Sequence, residues 1–76
     1  LNIQGVKASF VMTEKENVVY ISARSLDEVN VQLIMEKLGG GGNLSVAGAQ
    51  IAGSNVDEVK RLLKEKIDEY FEEGEV

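Results

Sequence analysis

Four consecutive glycines, Gly39 to Gly42, are the residues whose type and spacing most directly suggest chemistry in this chain. Each ordered glycine loses more backbone freedom than any other residue. A helix end needs one glycine; three more need another reason. Glycine lets the main chain adopt left-handed conformations, so that successive N–H groups converge on one concavity. It also lets a ligand approach the backbone closely. If Asn43 opens a helical turn, that turn's free N–H groups add to the site. The chemistry this suits is capture of a phosphate or phosphodiester. A flexible connector between helix and strand is the competing reading, because neither a P-loop nor a dinucleotide-fold pattern is met. No Lys-Ser/Thr follows the run, and no strand feeds into it.

Arg24 is the second candidate. It stands just past a strand, where side chains line the crevice at a sheet edge. Arginine grips phosphate with a planar fork, and Ser22 and Ser25 flank it with hydroxyls. The alternative is a solvated surface arginine. Lys60, Arg61, Lys64 and Lys66 lie among acids in a helical stretch and read as i, i+4 surface pairs. Asn30, Gln32 and Gln50 are secondary polar candidates; Asn30 suits a helix cap, and Gln50 alternates with Ala49 and Ile51 and so faces away from them. Glu14, Glu16, Asp27, Glu28 and Glu36 show no metal-ligand spacing. Neither histidine nor cysteine occurs. That removes the usual zinc ligand, the usual general base at neutral pH, disulfides and thiol nucleophiles.

The elements that must position these residues follow from periodicity. Val6 to Met12 alternates with period two and predicts a strand, with residues 1–4 as the tail of an element lost upstream. Thr13 to Asn17 predicts a turn, and Val18 to Ala23 a second, central strand antiparallel to the first. Val31, Ile34, Met35 and Leu38 form one apolar stripe of a helix from about Asn30 to Leu38. Asn30 caps it, with an earlier start offered by the Ser25/Glu28 spacing. Gly39 stops it at the C′ position. Gly48 to Ala52 predicts a third strand. A second helix starts after Ser54 or Asn55, with Val56, Val59, Leu63, Ile67 and Tyr70 as its buried stripe and a frayed tail from Glu72 to Val76. The expected class is α/β (α+β): a small mixed sheet with both helices on one face, in the order β-β-α-β-α. The step from strand two to strand three suits a right-handed parallel crossover.

The chain has 76 residues, 43 % of them hydrophobic, and a net charge of −5. One domain, 1–76, with a modest core is what this length supports. A start at Leu1 rather than Met leads to the expectation that it is excised from a longer protein. The acidic balance argues against bulk nucleic-acid binding. No apolar run reaches membrane-span length, and no stretch of these residues reads as a signal peptide.

The stretch Ile21-Ser22-Ala23-Arg24-Ser25, then Asn30-Val31, then Met35-Glu36-Lys37-Leu38 and the four glycines, with Ala47-Gly48-Ala49-Gln50 downstream, resembles a known module. It is similar to the C-terminal DHH-associated domain of DHH-family phosphodiesterases, most of all the membrane-bound cyclic-di-AMP phosphodiesterases of Firmicutes, the GdpP type. The resemblance covers about residues 5 to 70. It implies a substrate-binding domain that closes over a cyclic dinucleotide or short oligonucleotide. A separate DHH domain, absent from this chain, holds the metal ions, usually Mn2+. By the resemblance Arg24, with Ser22 and Ser25, grips a substrate phosphate, and Gly39, Gly40, Gly41, Gly42 and Asn43 bind phosphate or nucleoside. The fragment alone lacks metal ligands and is expected to be inactive. The implied location is cytoplasmic, with the parent anchored to a membrane. The family usually places a histidine where Asn43 stands; asparagine donates a hydrogen bond but carries no charge near pH 7.

Two other classes stay open. A protein-interaction or homodimer-forming module would use an unpaired hairpin edge and treat the glycines as a connector. A single-strand nucleic-acid binder has a precedent among related exonucleases, but the charge of −5 and the scarcity of aromatics oppose it.

Overall fold

The computed structural model describes residues 7–73. The elements in order are β1 (Ala8–Lys15), β2 (Val18–Ser25), α1 (Val31–Glu36), β3 (Gly41–Gly42), β4 (Val46–Ala52) and α2 (Val56–Glu72). They form one four-stranded sheet in the order β1-β2-β4-β3, antiparallel at every pairing. The mixed helix-and-strand class and the order of the main elements agree with the sequence reading. The expected tail over residues 1–4, the start of the first strand at Val6 and the frayed end from Gly74 onward lie outside the described residues.

The first hairpin is tighter than expected. Its turn is only Glu16-Asn17, both with positive φ (51° and 65°). This is the two-residue geometry whose twist matches that of the flanking strands. Thr13, Glu14 and Lys15 therefore stay in β1, opposite Tyr20, Val19 and Val18. Glu14 uses this position: its carboxylate accepts a hydrogen bond from the Val56 N–H, 3.3 Å away, at the start of α2.

The connection from β2 to β4 corrects the expected parallel crossover. After α1 the chain runs along the sheet edge as Gly41-Gly42, turns at residues 43–45, and returns as β4 beside β2. This small hairpin reverses the chain, so β4 meets β2 antiparallel. Asn43 to Ala47 is thus a turn and the beginning of a strand.

Alternation along each strand sends one set of side chains toward the helices. Phe10, Val19, Ile21, Ala23, Ala47 and Ala49 pack there against Val31, Ile34 and Met35 of α1 and Val59, Leu63, Ile67 and Tyr70 of α2. Both helical stripes match the sequence pattern. Asn30 caps α1 by accepting from the Leu33 N–H (3.3 Å), and Asn55 caps α2 by accepting from the Glu58 N–H (3.0 Å). The earlier start at Ser25 is not used. Tyr70 is fully buried, and its hydroxyl accepts a hydrogen bond from the Asn30 N–H at 3.0 Å. That bond ties the entry of α1 to the end of α2 and satisfies a polar group within the core. Among the described residues, the opposite face of the sheet carries no helix.

Candidate functional site

The glycine run is shaped first by the fold. Gly39 has φ +82°. Its N–H donates to the Glu36 carbonyl at 3.1 Å, and the Gly40 N–H donates to the Met35 carbonyl at 2.8 Å. These two bonds are the Schellman closure of α1, with Gly39 at C′ as expected. Gly40 then passes so close to β4 that a Cβ there would lie 2.1 Å from the Gly48 carbonyl oxygen. A Cβ on Gly42 would lie 2.5 Å from the Ala47 Cα. Gly41 differs: its φ is ordinary and a Cβ on it would meet nothing within 4 Å. The run is therefore built into the sheet edge and is no flexible connector.

This placement corrects the idea of a cradle of successive free N–H groups. The N–H groups of Gly39, Gly40 and Asn43 all donate within the chain. Of the two strand residues, ladder alternation turns one N–H toward β4 and the other out to the open edge. Asn43 opens no helical turn either. Its N–H donates to the Val46 carbonyl at 2.8 Å, and its Oδ1 accepts from the N–H groups of Ser45 (3.0 Å) and Val46 (2.9 Å). The residue closes the β3–β4 hairpin with its oxygen and keeps only its NH2 for other partners. Replacing Asn43 with alanine leaves two backbone donors without their acceptor. A loss of about 1 kcal/mol in unfolding free energy is expected in urea titrations.

Ser22 and Arg24 lie on the uncovered face. The register sets Ser9–Arg24–Val46 side by side, then Val11–Ser22–Gly48, with Gly41 next to Gly48 on the edge. Arg24 is exposed, and among the described residues it has neither an ion pair nor a hydrogen bond. Ser22 is shared by two adjoining hollows. One, of about 500 Å3, also takes in Gly39, Gly40, Gly48, Tyr20 and Gln50. The other, of about 350 Å3, takes in Arg24, Ser9, Val11 and Val46. Gly48, in the lining of the larger hollow, and Gly41, next to it on the sheet edge, carry no side chain.

The charge on this face is opposite to that of the chain. The strand positions that share its parity are Ser9 to Lys15 on β1, Val18 to Arg24 on β2 and Val46 to Ala52 on β4, taking every second residue. They include Lys15 and Arg24 and no acid, in a chain with 13 acidic and 8 basic residues. An anion meets no fixed negative charge on this face.

Ser25 has a different place. It has the parity of the covered face, and its hydroxyl donates to the Asp27 carbonyl (2.9 Å) while accepting from the Asp27 N–H (3.3 Å). Its backbone N–H donates to the Ser45 carbonyl at 2.8 Å. It fixes the end of the strand that carries Arg24. Gln32 is spent on Glu36 (3.2 Å) along its own helix. Of the basic residues in α2, Lys66 pairs with Glu69 at i, i+3.

A sequence profile described as the DHHA1 domain matches residues 1–73. The chain belongs to the DHHA1 domain family. Its DHHA1 sequence is 52 % identical over 75 residues to the cyclic-di-AMP phosphodiesterase GdpP of Geobacillus thermodenitrificans, covering 97 % of this chain and 11 % of that protein. It is 49 % identical over 72 residues to the cyclic-di-AMP phosphodiesterase PdeA of Listeria monocytogenes, covering 93 % and 11 %. To the bifunctional oligoribonuclease and PAP phosphatase NrnA of Thermus thermophilus it is 34 % identical over 67 residues, covering 88 % and 21 %. The chain thus spans about a tenth of the length of the first two relatives.

Among the described residues of this DHHA1 domain, no three of His, Cys, Asp and Glu come together in a way that could hold a metal ion. The donor set of the described residues does not fit a metal centre. No described helix is long and apolar enough to cross a membrane. Tyr20 and Gln50, which face each other across β2 and β4 beside Ser22 and Gly48, join the DHHA1 face although the sequence drew attention to neither as a pair. Parity along β2 from Ser22 would have found Tyr20. The register that brings Gln50 opposite it is not written in either strand alone.

Proposed function

We propose that this DHHA1 domain is the substrate-binding part of a metal-dependent phosphodiesterase acting on a cyclic dinucleotide such as cyclic-di-AMP, or on a short oligonucleotide. The observation that carries the reading is the uncovered sheet face. Among the described residues it gathers an arginine with no ion pair or hydrogen bond, a serine hydroxyl and the side-chain-free Gly48 and Gly41, and its strand positions carry no acid, in a strongly acidic chain. Arg24 grips a phosphate through its fork, Ser22 donates to it, and the outward N–H of the Gly41–Gly42 edge adds a backbone donor. Gly39, Gly40 and Gly42 hold that edge against β4. Asn43 offers its NH2 at the rim. Ser25 keeps Arg24 in place. The metal ions, Mn2+ by resemblance, belong to a DHH domain of the same protein, which supplies the activated water. By the same resemblance, that protein is anchored to a membrane with this domain on the cytoplasmic side. The exposed Val11 and Val46 flanking the site suit contact with that companion domain.

Titrating the linear dinucleotide product pApA into the isotopically labelled intact protein tests this. Amide shifts are expected at 20–25, 39–43 and 46–50. Shifts confined to the helices would remove the assignment. A protein-interaction or homodimer-forming module pairing through the hairpin edge, where β1 ends the sheet, is the other reading, and sedimentation across a concentration range decides it.

A further inference from the structure

Tyr20 and Gln50 remain unexplained by phosphate binding. They are a registered cross-strand pair on the two central strands, β2 and β4. Both lie on the uncovered face, and Tyr20 keeps 39 % of its surface exposed, unusual for an aromatic residue in the middle of a sheet. Among the described residues neither the phenol nor the carboxamide has a hydrogen-bond partner, and no ring stacks on Tyr20. Both line the larger hollow, beside Gly48.

We propose that Tyr20 and Gln50 form a nucleobase subsite selective for adenine. This inference rests on the reading of the same face as a phosphate site. An aromatic face is a platform on which a base stacks, whichever base it is. A carboxamide presents a donor and an acceptor side by side. Adenine offers the complement, an acceptor at N7 beside a donor at N6. Guanine offers two acceptors, N7 and O6, so one would face the Gln50 oxygen. Selectivity therefore comes from Gln50, and general base affinity from Tyr20.

The spacing suits one nucleotide. Tyr20, Ser22 and Arg24 follow at every second residue along β2, so Tyr20 and Arg24 are roughly 13 Å apart. That is comparable to the span of an extended mononucleotide, with the base at Tyr20 and the phosphate toward Ser22 and Arg24. The hollow around Tyr20 and the hollow around Arg24 meet at Ser22, where the sugar would cross.

Calorimetric titration of the intact protein with 5′-AMP, 5′-GMP and ribose 5-phosphate tests the proposal, because none of the three is a phosphodiester. Tyr20→Ala is expected to weaken 5′-AMP roughly 10- to 100-fold and to leave ribose 5-phosphate within about twofold. Tyr20→Phe keeps the ring and is expected to bind 5′-AMP as the parent does. Gln50→Leu is expected to bring 5′-AMP and 5′-GMP toward equal affinity. Arg24→Ala is expected to weaken all three. The base subsite is overturned if Tyr20→Ala leaves 5′-AMP unchanged, or weakens ribose 5-phosphate as much as 5′-AMP, while Arg24→Ala acts on all three. If Arg24→Ala leaves ribose 5-phosphate untouched, the phosphate reading falls instead, and the Tyr20 and Gln50 results decide the base subsite by themselves.

Discussion

Replacing Arg24 with alanine in the intact protein is expected to lower kcat/KM for phosphodiester hydrolysis roughly 100-fold, with little change in unfolding temperature. The two halves of this result have separate origins. A hydrogen bond to a charged group contributes about 1.5–3 kcal/mol, and a bidentate fork on phosphate lies at the upper end. Stability is spared because Arg24 is exposed and holds no partner among the described residues. Surface substitutions of that kind usually change stability by less than about 0.5 kcal/mol. Arg24→Lys keeps the charge and loses the fork, so partial recovery is expected. Unchanged kinetics in Arg24→Ala would remove the arginine from the site.

The second large effect is steric. Gly40→Ala is expected to lower the unfolding temperature by about 4–24 °C, whereas Gly41→Ala is expected to leave it nearly unchanged and to reduce substrate binding. A Cβ on Gly40 meets the Gly48 carbonyl oxygen at 2.1 Å and the Ala49 Cβ at 2.7 Å. The first is backbone in a hydrogen-bonded ladder and cannot yield without moving β3 off β4. Overpacking of this kind costs about 1–3 kcal/mol, and each kcal/mol shifts a domain of this size by about 4–8 °C. Gly41 has open space beside it. Its methyl would stand in open space at the sheet edge beside Gly48 and meet only a ligand. Melting curves and pApA titrations on the two variants separate the structural glycine from the functional one. Equal melting temperatures would contradict the account of Gly40.

Local pattern was enough for much of this fold. The stripe from Val59 to Tyr70 at helical spacing, the asparagine caps at 30 and 55, and Gly39 at C′ each encode their own geometry within a few residues. The dense run Val18 to Ile21 encodes a central strand in the same way. Thr13, Glu14 and Lys15 read as a turn because they are polar. Their pairing depends on Glu16-Asn17 adopting two positive φ values, which glycine usually supplies. The direction of β4 was out of reach for a different reason. It is decided by a strand of two glycines that carries no periodic signal. The site divides along the same line. Arg24, Ser22 and the glycines are proposed from residue type alone. The roles of Ser25 and Asn43 were changed by hydrogen bonds within turns, and the Tyr20–Gln50 pair emerged only from the register between strands.

The Tyr70 hydroxyl bond to Asn30 has a consequence for the timing of folding. It joins residues 40 apart in sequence, and α1 has only six residues. A helix that short is marginal by itself. Its entry is tied to the far end of the described chain, so docking of α2 adds a hydrogen bond that α1 and the sheet alone do not have. During synthesis, this contact can form only after the chain has been made as far as Tyr70, so the entry of α1 gains its tie to α2 late.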